Sequence, residues 1–113
     1  MNSLLRSILN CLSTRTIRGI RIGVFGSIAR GDYTNDSDID IVIDADEDMQ
    51  SINFMEELRS FVCDTFNRSC DVTYLCSMQA EDEELDRLGE SLGLGKNEFS
   101  AYKTLMKEVI WCE

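Results

Sequence analysis

Two aspartates inside an isoleucine-rich run constrain this chain more than any other feature. Ser37-Asp38-Ile39-Asp40-Ile41-Val42-Ile43 reads as a strand with carboxylates at its entrance. Side chains alternate faces along a strand, so Asp38 and Asp40 point one way and Ile39, Ile41 and Ile43 point the other, into a core. Acids held side by side repel each other. At a separation of about 5 Å and an effective dielectric of about 20 the cost is roughly 3 kcal/mol. A divalent cation is the simplest resident that removes it, and magnesium takes oxygen ligands, usually carboxylates together with substrate phosphates. An acid such as Asp40, set within an apolar strand, has to be paired or ligated.

The residues upstream supply the other half of a site. Val24-Phe25-Gly26-Ser27-Ile28-Ala29-Arg30-Gly31 reads as the end of an apolar strand, a tight turn and a short helix. Gly26 lets the backbone bend and lets a ligand come close. Ser27 lies at the predicted helix N-terminus, where free N–H groups favour phosphate, and its hydroxyl adds a donor. Gly31 ends the short helix. Arg30, one turn on, has two candidate roles: a contact to phosphate, or an ion pair with a nearby acid such as Asp32 or Asp36.

Around this centre the chain of 113 residues reads as one domain over 1–113 of the α/β (α+β) class. Residues 3–14 form an amphipathic helix through Leu5, Ile8 and Leu12, capped by Asn2 or Ser3. Strands are predicted over 20–25, 39–43 and 70–75. The acidic run 44–48 reads as a solvated loop that caps the next helix, and Asp44 lies too far along the strand to join the site. A helix over 51–67 carries Phe54, Leu58, Phe61 and Val62 towards the core. A helix between neighbouring strands suits a crossover, so the second and third strands are expected to run parallel. Residues 77–95 are ambiguous: Glu81-Asp82-Glu83-Glu84 followed by Leu85 and Leu88 suggests a short acidic helix that ends among Gly89, Gly93 and Gly95. Asn97 is expected to cap a final helix with Phe99, Tyr102, Leu105, Met106, Val109 and Ile110 on one face. Trp111 either packs on the domain or is presented to a partner.

Composition excludes several classes of function. The net charge is −10, from 11 basic and 21 acidic residues, whereas sequence-independent nucleic-acid binding relies on Lys and Arg. Direct nucleic-acid binding is not expected. The acidity fits a basic protein partner or serves solubility alone. With no histidine, Ser-His-Asp and Cys-His nucleophilic schemes are absent. The five cysteines include no C-x-x-C pair and sit among apolar residues, so reduced, buried thiols are expected rather than zinc or disulfides. No apolar run reaches membrane-spanning length, and the first helix lacks the continuous apolar core of a signal peptide. No membrane association and a cytoplasmic location are the expectation.

Gly26-Ser27-Ile28-Ala29-Arg30-Gly31, a short gap, then Ser37-Asp38-Ile39-Asp40 resembles the signature of the polymerase-beta-type nucleotidyltransferase superfamily, most closely its minimal nucleotidyltransferases. Every fixed position of the pattern is present, and the resemblance covers about Ile20 to Leu75. It implies the nucleotidyltransferase fold, a small mixed β-sheet flanked by helices. It also implies a third acid on a neighbouring strand, which Asp71 in Cys70-Asp71-Val72-Thr73-Tyr74-Leu75 supplies.

By that resemblance Asp38, Asp40 and Asp71 hold two magnesium ions and promote in-line attack on the α-phosphorus of a nucleoside triphosphate. Asp71 is expected to ligate the catalytic metal and to accept the nucleophile's proton. Gly26 and Ser27 are expected to cradle the β- and γ-phosphates. Many members of the family are antitoxins that transfer AMP from ATP to a tyrosine of a HEPN ribonuclease toxin, and the leading expectation is that this chain does the same. The alternatives are a non-catalytic module that masks its partner or senses a nucleotide, and a small-molecule nucleotidyltransferase. For the latter the chain has little room to build an acceptor pocket unless it dimerises.

Overall fold

The centre of the sheet is an antiparallel pair in which Ile20 lies opposite Ala45 and Phe25 opposite Asp40. In the computed structural model, which describes residues 2–95 and 100–112, the chain order is α1 (Ser3–Ser13), β1 (Ile20–Phe25), α2 (Gly26–Arg30), β2 (Ile39–Ala45), a 3-10 turn (Glu47–Met49), α3 (Ile52–Phe66), β3 (Cys70–Tyr74), α4 (Leu75–Ser91), α5 (Ala101–Glu108) and β4 (Ile110–Trp111). The sheet runs β3-β2-β1-β4. β3 joins β2 in parallel and β4 joins β1 antiparallel. The sheet is therefore mixed, with the expected crossover between β2 and β3.

Alternation decides what each face carries. Ile39, Ile41 and Ile43 are fully buried with Ile22 and Val24 of β1, against Leu5, Ile8 and Leu12 of α1 and Leu58 and Val62 of α3. Burying one such side chain is worth about 1.5–3 kcal/mol. A one-residue slip of β2 would forfeit all three isoleucines and drive Asp40 into that core, so the register is fixed. The opposite face holds a smaller cluster, Val42 with Leu75 and Leu105, bordered by Phe25, Met78, Tyr102, Val109 and Trp111. Asp40 shares this second face.

The helix ends follow short-range rules. Asn2 caps α1 by accepting from the Leu5 N–H at 2.7 Å, and its amide donates to the Ile28 carbonyl at 3.0 Å, tying α1 to α2. Ser51, rather than the acidic run, caps α3 through the Phe54 N–H. Asn67 closes α3 at φ 52. The Tyr74 hydroxyl donates to the Ser51 carbonyl at 2.7 Å and accepts from the Ser51 N–H at 2.8 Å, which pins the end of β3 to the start of α3.

Several expectations need correction. β2 continues to Ala45, so Asp44 is a strand residue and pairs with Arg21 at 2.8 Å instead of entering a solvated loop. The acidic helix is not short. α4 takes up 75–91 and α5 packs beside it, with Lys103 lying 3.5 Å from the buried Asp82 and 2.9 Å from Asp86. Val109 and Ile110 are not on the last helix, because Val109 turns extended at ψ 136 and Ile110–Trp111 form β4. Ser100 caps α5 through the Lys103 N–H, and the expected roles of Asn97 and Phe99 fall outside the described residues. All five cysteines are free, as expected, but only Cys70 is buried; Cys11, Cys63 and Cys112 are half-buried and Cys76 is exposed. Burial pushes the Cys70 thiol up to about 12 and that of Cys112 to about 11, so both are protonated at neutral pH. Among the described residues no helix is long and apolar enough to cross a membrane.

The docking of β4 depends on a missing side chain. A Cβ at Gly23 would lie 2.8 Å from both Trp111 Cε3 and Val109 Cγ2, and the Arg21 guanidinium covers the Trp111 ring at 4.0 Å. Trp111 therefore packs on the domain. Gly23→Ala is expected to lower unfolding free energy by about 1–3 kcal/mol, the range for overpacking, as measured by urea denaturation. An unchanged midpoint would mean that β4 moves aside freely.

Candidate active site

The Gly26 turn and the aspartate strand meet directly. Gly26 has φ 76, and a Cβ built there would overlap the Asp40 carboxylate. Only glycine combines that backbone conformation with so close an approach. α2 starts at this turn with no side-chain cap, so its first N–H groups have no side-chain partner. Ser27 is half-buried beside them. Gly31 closes α2 at φ 90, and its N–H donates to the Ser27 carbonyl at 2.9 Å.

The acids come from two adjacent strands and the loop before one of them. Asp40 and Asp71 are register partners in the parallel β2–β3 pair and so project from the same face. Asp38 lies one residue before β2. Asp38 and Asp71 are exposed, and Asp40 is half-buried. None of the three makes a side-chain hydrogen bond or ion pair among the described residues. Burial pushes the Asp40 carboxyl up to about 6, and the charges of Asp71 and Asp38 add to the effect. The nearby Arg30 opposes it. Asp40 is thus an acid whose burial and like-charged neighbours outweigh the nearby Arg30, in a cluster offering only oxygen donors. Among the described residues no group of three His, Cys, Asp or Glu side chains is gathered closely enough to hold a metal ion by itself. The donor set fits a hard cation that draws part of its shell from water and substrate, the habit of magnesium.

Arg30 takes the ion-pair role, with partners that the sequence only partly indicates. Its guanidinium pairs with Asp32 at 3.1 Å and with Glu108 at 3.0 Å, and Asp36 is not among its partners. These hydrogen bonds, Asp32 first, raise its pKa above the ordinary value. Glu108 is the site residue that sequence reasoning misses. It ends α5, 78 positions from Arg30, and adds to the negative field at Asp40. Nothing local at Glu108 marks it. An open cleft of about 540 Å³ lies elsewhere, between the end of α3 and the start of β3, lined by Arg59, Cys63 and Arg68 among others.

Comparison with known proteins places this geometry in context. No curated protein matches the chain. Crystal structures that share its fold include two toxin–antitoxin proteins. One is a toxin–antitoxin with AMP-PNP, at 19% identity and TM-score 0.60, covering 96% of this chain and 72% of the other. The second is a mutant of the toxin–antitoxin MntA–HpeT, at 17% identity and TM-score 0.59, covering 100% of this chain and 73% of the other. The nucleotidyltransferase domain family matches residues 5–94, a span that takes in the glycine-serine turn and all three aspartates. On that match the chain belongs to the nucleotidyltransferase domain family, whose members are transferases.

Proposed function

We propose that this chain transfers AMP from ATP to a hydroxyl of a protein partner, a tyrosine of a HEPN ribonuclease toxin, and so acts as the antitoxin of a toxin–antitoxin pair. The observation that carries the reading is the contact of the Gly26 turn with Asp40, which has Asp71 as its register partner. The glycine-serine turn and a carboxylate pair thereby share one end of the sheet. The likeness to toxin–antitoxin structures, one of them with AMP-PNP, supports the choice of partner and nucleotide. The net charge of −10 supports a basic protein surface over nucleic acid as the partner.

In this scheme the tyrosine oxygen attacks the α-phosphorus, the bond from that phosphorus to the bridging oxygen breaks, and pyrophosphate leaves. Asp71 accepts the phenolic proton. Gly26 N–H, Ser27 and the uncapped start of α2 hold the β- and γ-phosphates, while Arg30 stays paired with Asp32 and Glu108. Asp38, Asp40 and Asp71 would hold two magnesium ions, which would offset the charge of the triphosphate and lower the pKa of the attacking hydroxyl. Positioning supplies most of the remaining rate.

The test is to incubate the protein with ATP, magnesium and HEPN-type proteins, then weigh each partner. A partner gaining one or more AMP units is expected. No gain on any partner, with toxicity still neutralised by an Asp38→Asn/Asp40→Asn/Asp71→Asn triple variant, would establish masking instead.

A further inference from the structure

We infer that Arg68 is a positioning residue that holds the loop carrying Asp38 in the geometry needed to bind a divalent cation. The inference rests on the transfer reading only for its kinetic consequence, since cation binding is measured separately. The Arg68 Nη1 donates to the carbonyls of Thr34 at 2.9 Å, Ser37 at 3.0 Å and Asn35 at 3.4 Å. That nitrogen carries two N–H groups, so the longest contact is a shared, weaker one. The guanidinium also faces the Tyr33 ring at 5.5 Å.

The loop it grips is already a folded unit. Ser37 Oγ accepts from the Thr34 N–H at 2.8 Å, and the Ser37 N–H donates to the Thr34 carbonyl at 3.2 Å. This knot sets the shape of the turn but does not fix its place on the protein. Arg68 does so, from two residues before β3, while the next residue's carbonyl, Ser69, accepts from Ile39 N–H at 2.9 Å. A single side chain thus joins the approach to β2, with Asp38 and Asp40, to the approach to β3, with Asp71. Asp38 lies outside the ladder and is exposed, so no strand pairing fixes its carboxylate relative to Asp40. A charged guanidinium bonded to carbonyls is a strong link of this kind. Lysine, with three donors on a flexible stem, replaces it in part.

The experiment uses manganese as the probe, with its affinity read from the electron paramagnetic resonance signal of the free ion. Arg68→Met keeps the aliphatic stem and removes the donors. It is expected to weaken manganese binding about 10-fold, in the 10–100-fold range seen when outer partners of a metal site are lost. Arg68→Lys is expected to recover most of that loss. In the wild type, amide exchange at Ser37, which lies outside the strand, should be as slow as in β2. A folded Arg68→Met variant with wild-type manganese affinity overturns the inference, as does fast exchange at that amide. With transfer assayed in parallel, kcat should fall with manganese affinity while KM for ATP stays close to wild type. A wild type that binds manganese and transfers nothing sinks the transfer reading and leaves the role of Arg68 standing.

Discussion

Asp40→Asn is expected to cut nucleotide transfer by about a thousandfold, the upper range for loss of one preorganised charge-stabilising group, and to stabilise the fold at neutral pH. The two effects have one cause. Burial and the neighbouring Asp71 and Asp38 push this carboxyl from an ordinary value of 3.8 to about 6. A group that binds its proton more tightly when folded stabilises the fold fully below its unfolded value, and the contribution is lost as pH rises through about 6. The wild type therefore carries the penalty of an ionised Asp40 above that pH. The carboxylate is half-exposed, so solvent screening trims the penalty to about 1 kcal/mol. Thermal unfolding of both proteins should show the asparagine variant ahead at pH 8, with the gap closing towards pH 4. Magnesium should raise the wild-type midpoint at pH 8 more than that of the variant. A variant less stable than wild type at pH 8 would mean that the charge of Asp40 already has a partner.

Gly26→Ala is expected to destabilise the protein by about 1–3 kcal/mol and to abolish transfer. It carries two separable costs. The first is the backbone, since φ 76 suits glycine and strains any residue with a Cβ. The second is the overlap of that Cβ with the Asp40 carboxylate. Gly19, at φ 89 with open space around it, isolates the first cost, so Gly19→Ala should lose only about 1 kcal/mol. The double variant Gly26→Ala/Asp40→Ala should be more stable than the sum of its parts, because the overlapped carboxylate is gone, yet it should transfer nothing. Additive losses would mean that the two residues do not touch in solution.

The parts of the fold legible in the sequence are those whose pattern is local. β1 and β2 alternate clearly, and the spacing from Gly26 to Asp40 is short enough to mark the turn and strand as a unit. The parallel pairing of β3 follows from the intervening helix. What was not legible depends on long-range contact. Ile110 continues the helical spacing of Met106, and the open space over Gly23 lets it join the sheet as a strand. The acids over 81–84 read as a brief helix, but Leu75 and Met78 seat α4 on the second face of the sheet and start it at Leu75, while Asp82 lies against Lys103 of α5. Glu108 is one acid among 21 until the fold sets it on Arg30.

The order of the sheet has a mechanical consequence. The strand bearing Asp40 is hemmed in on both sides, whereas the one bearing Asp71 has a single neighbour. Like charge on the two can therefore relax in only one direction, by splaying the outermost ribbon away from a fixed interior one. A cation drawn between them would act as a clasp, and slower amide exchange along 70–74 on adding magnesium is the sign of its closing.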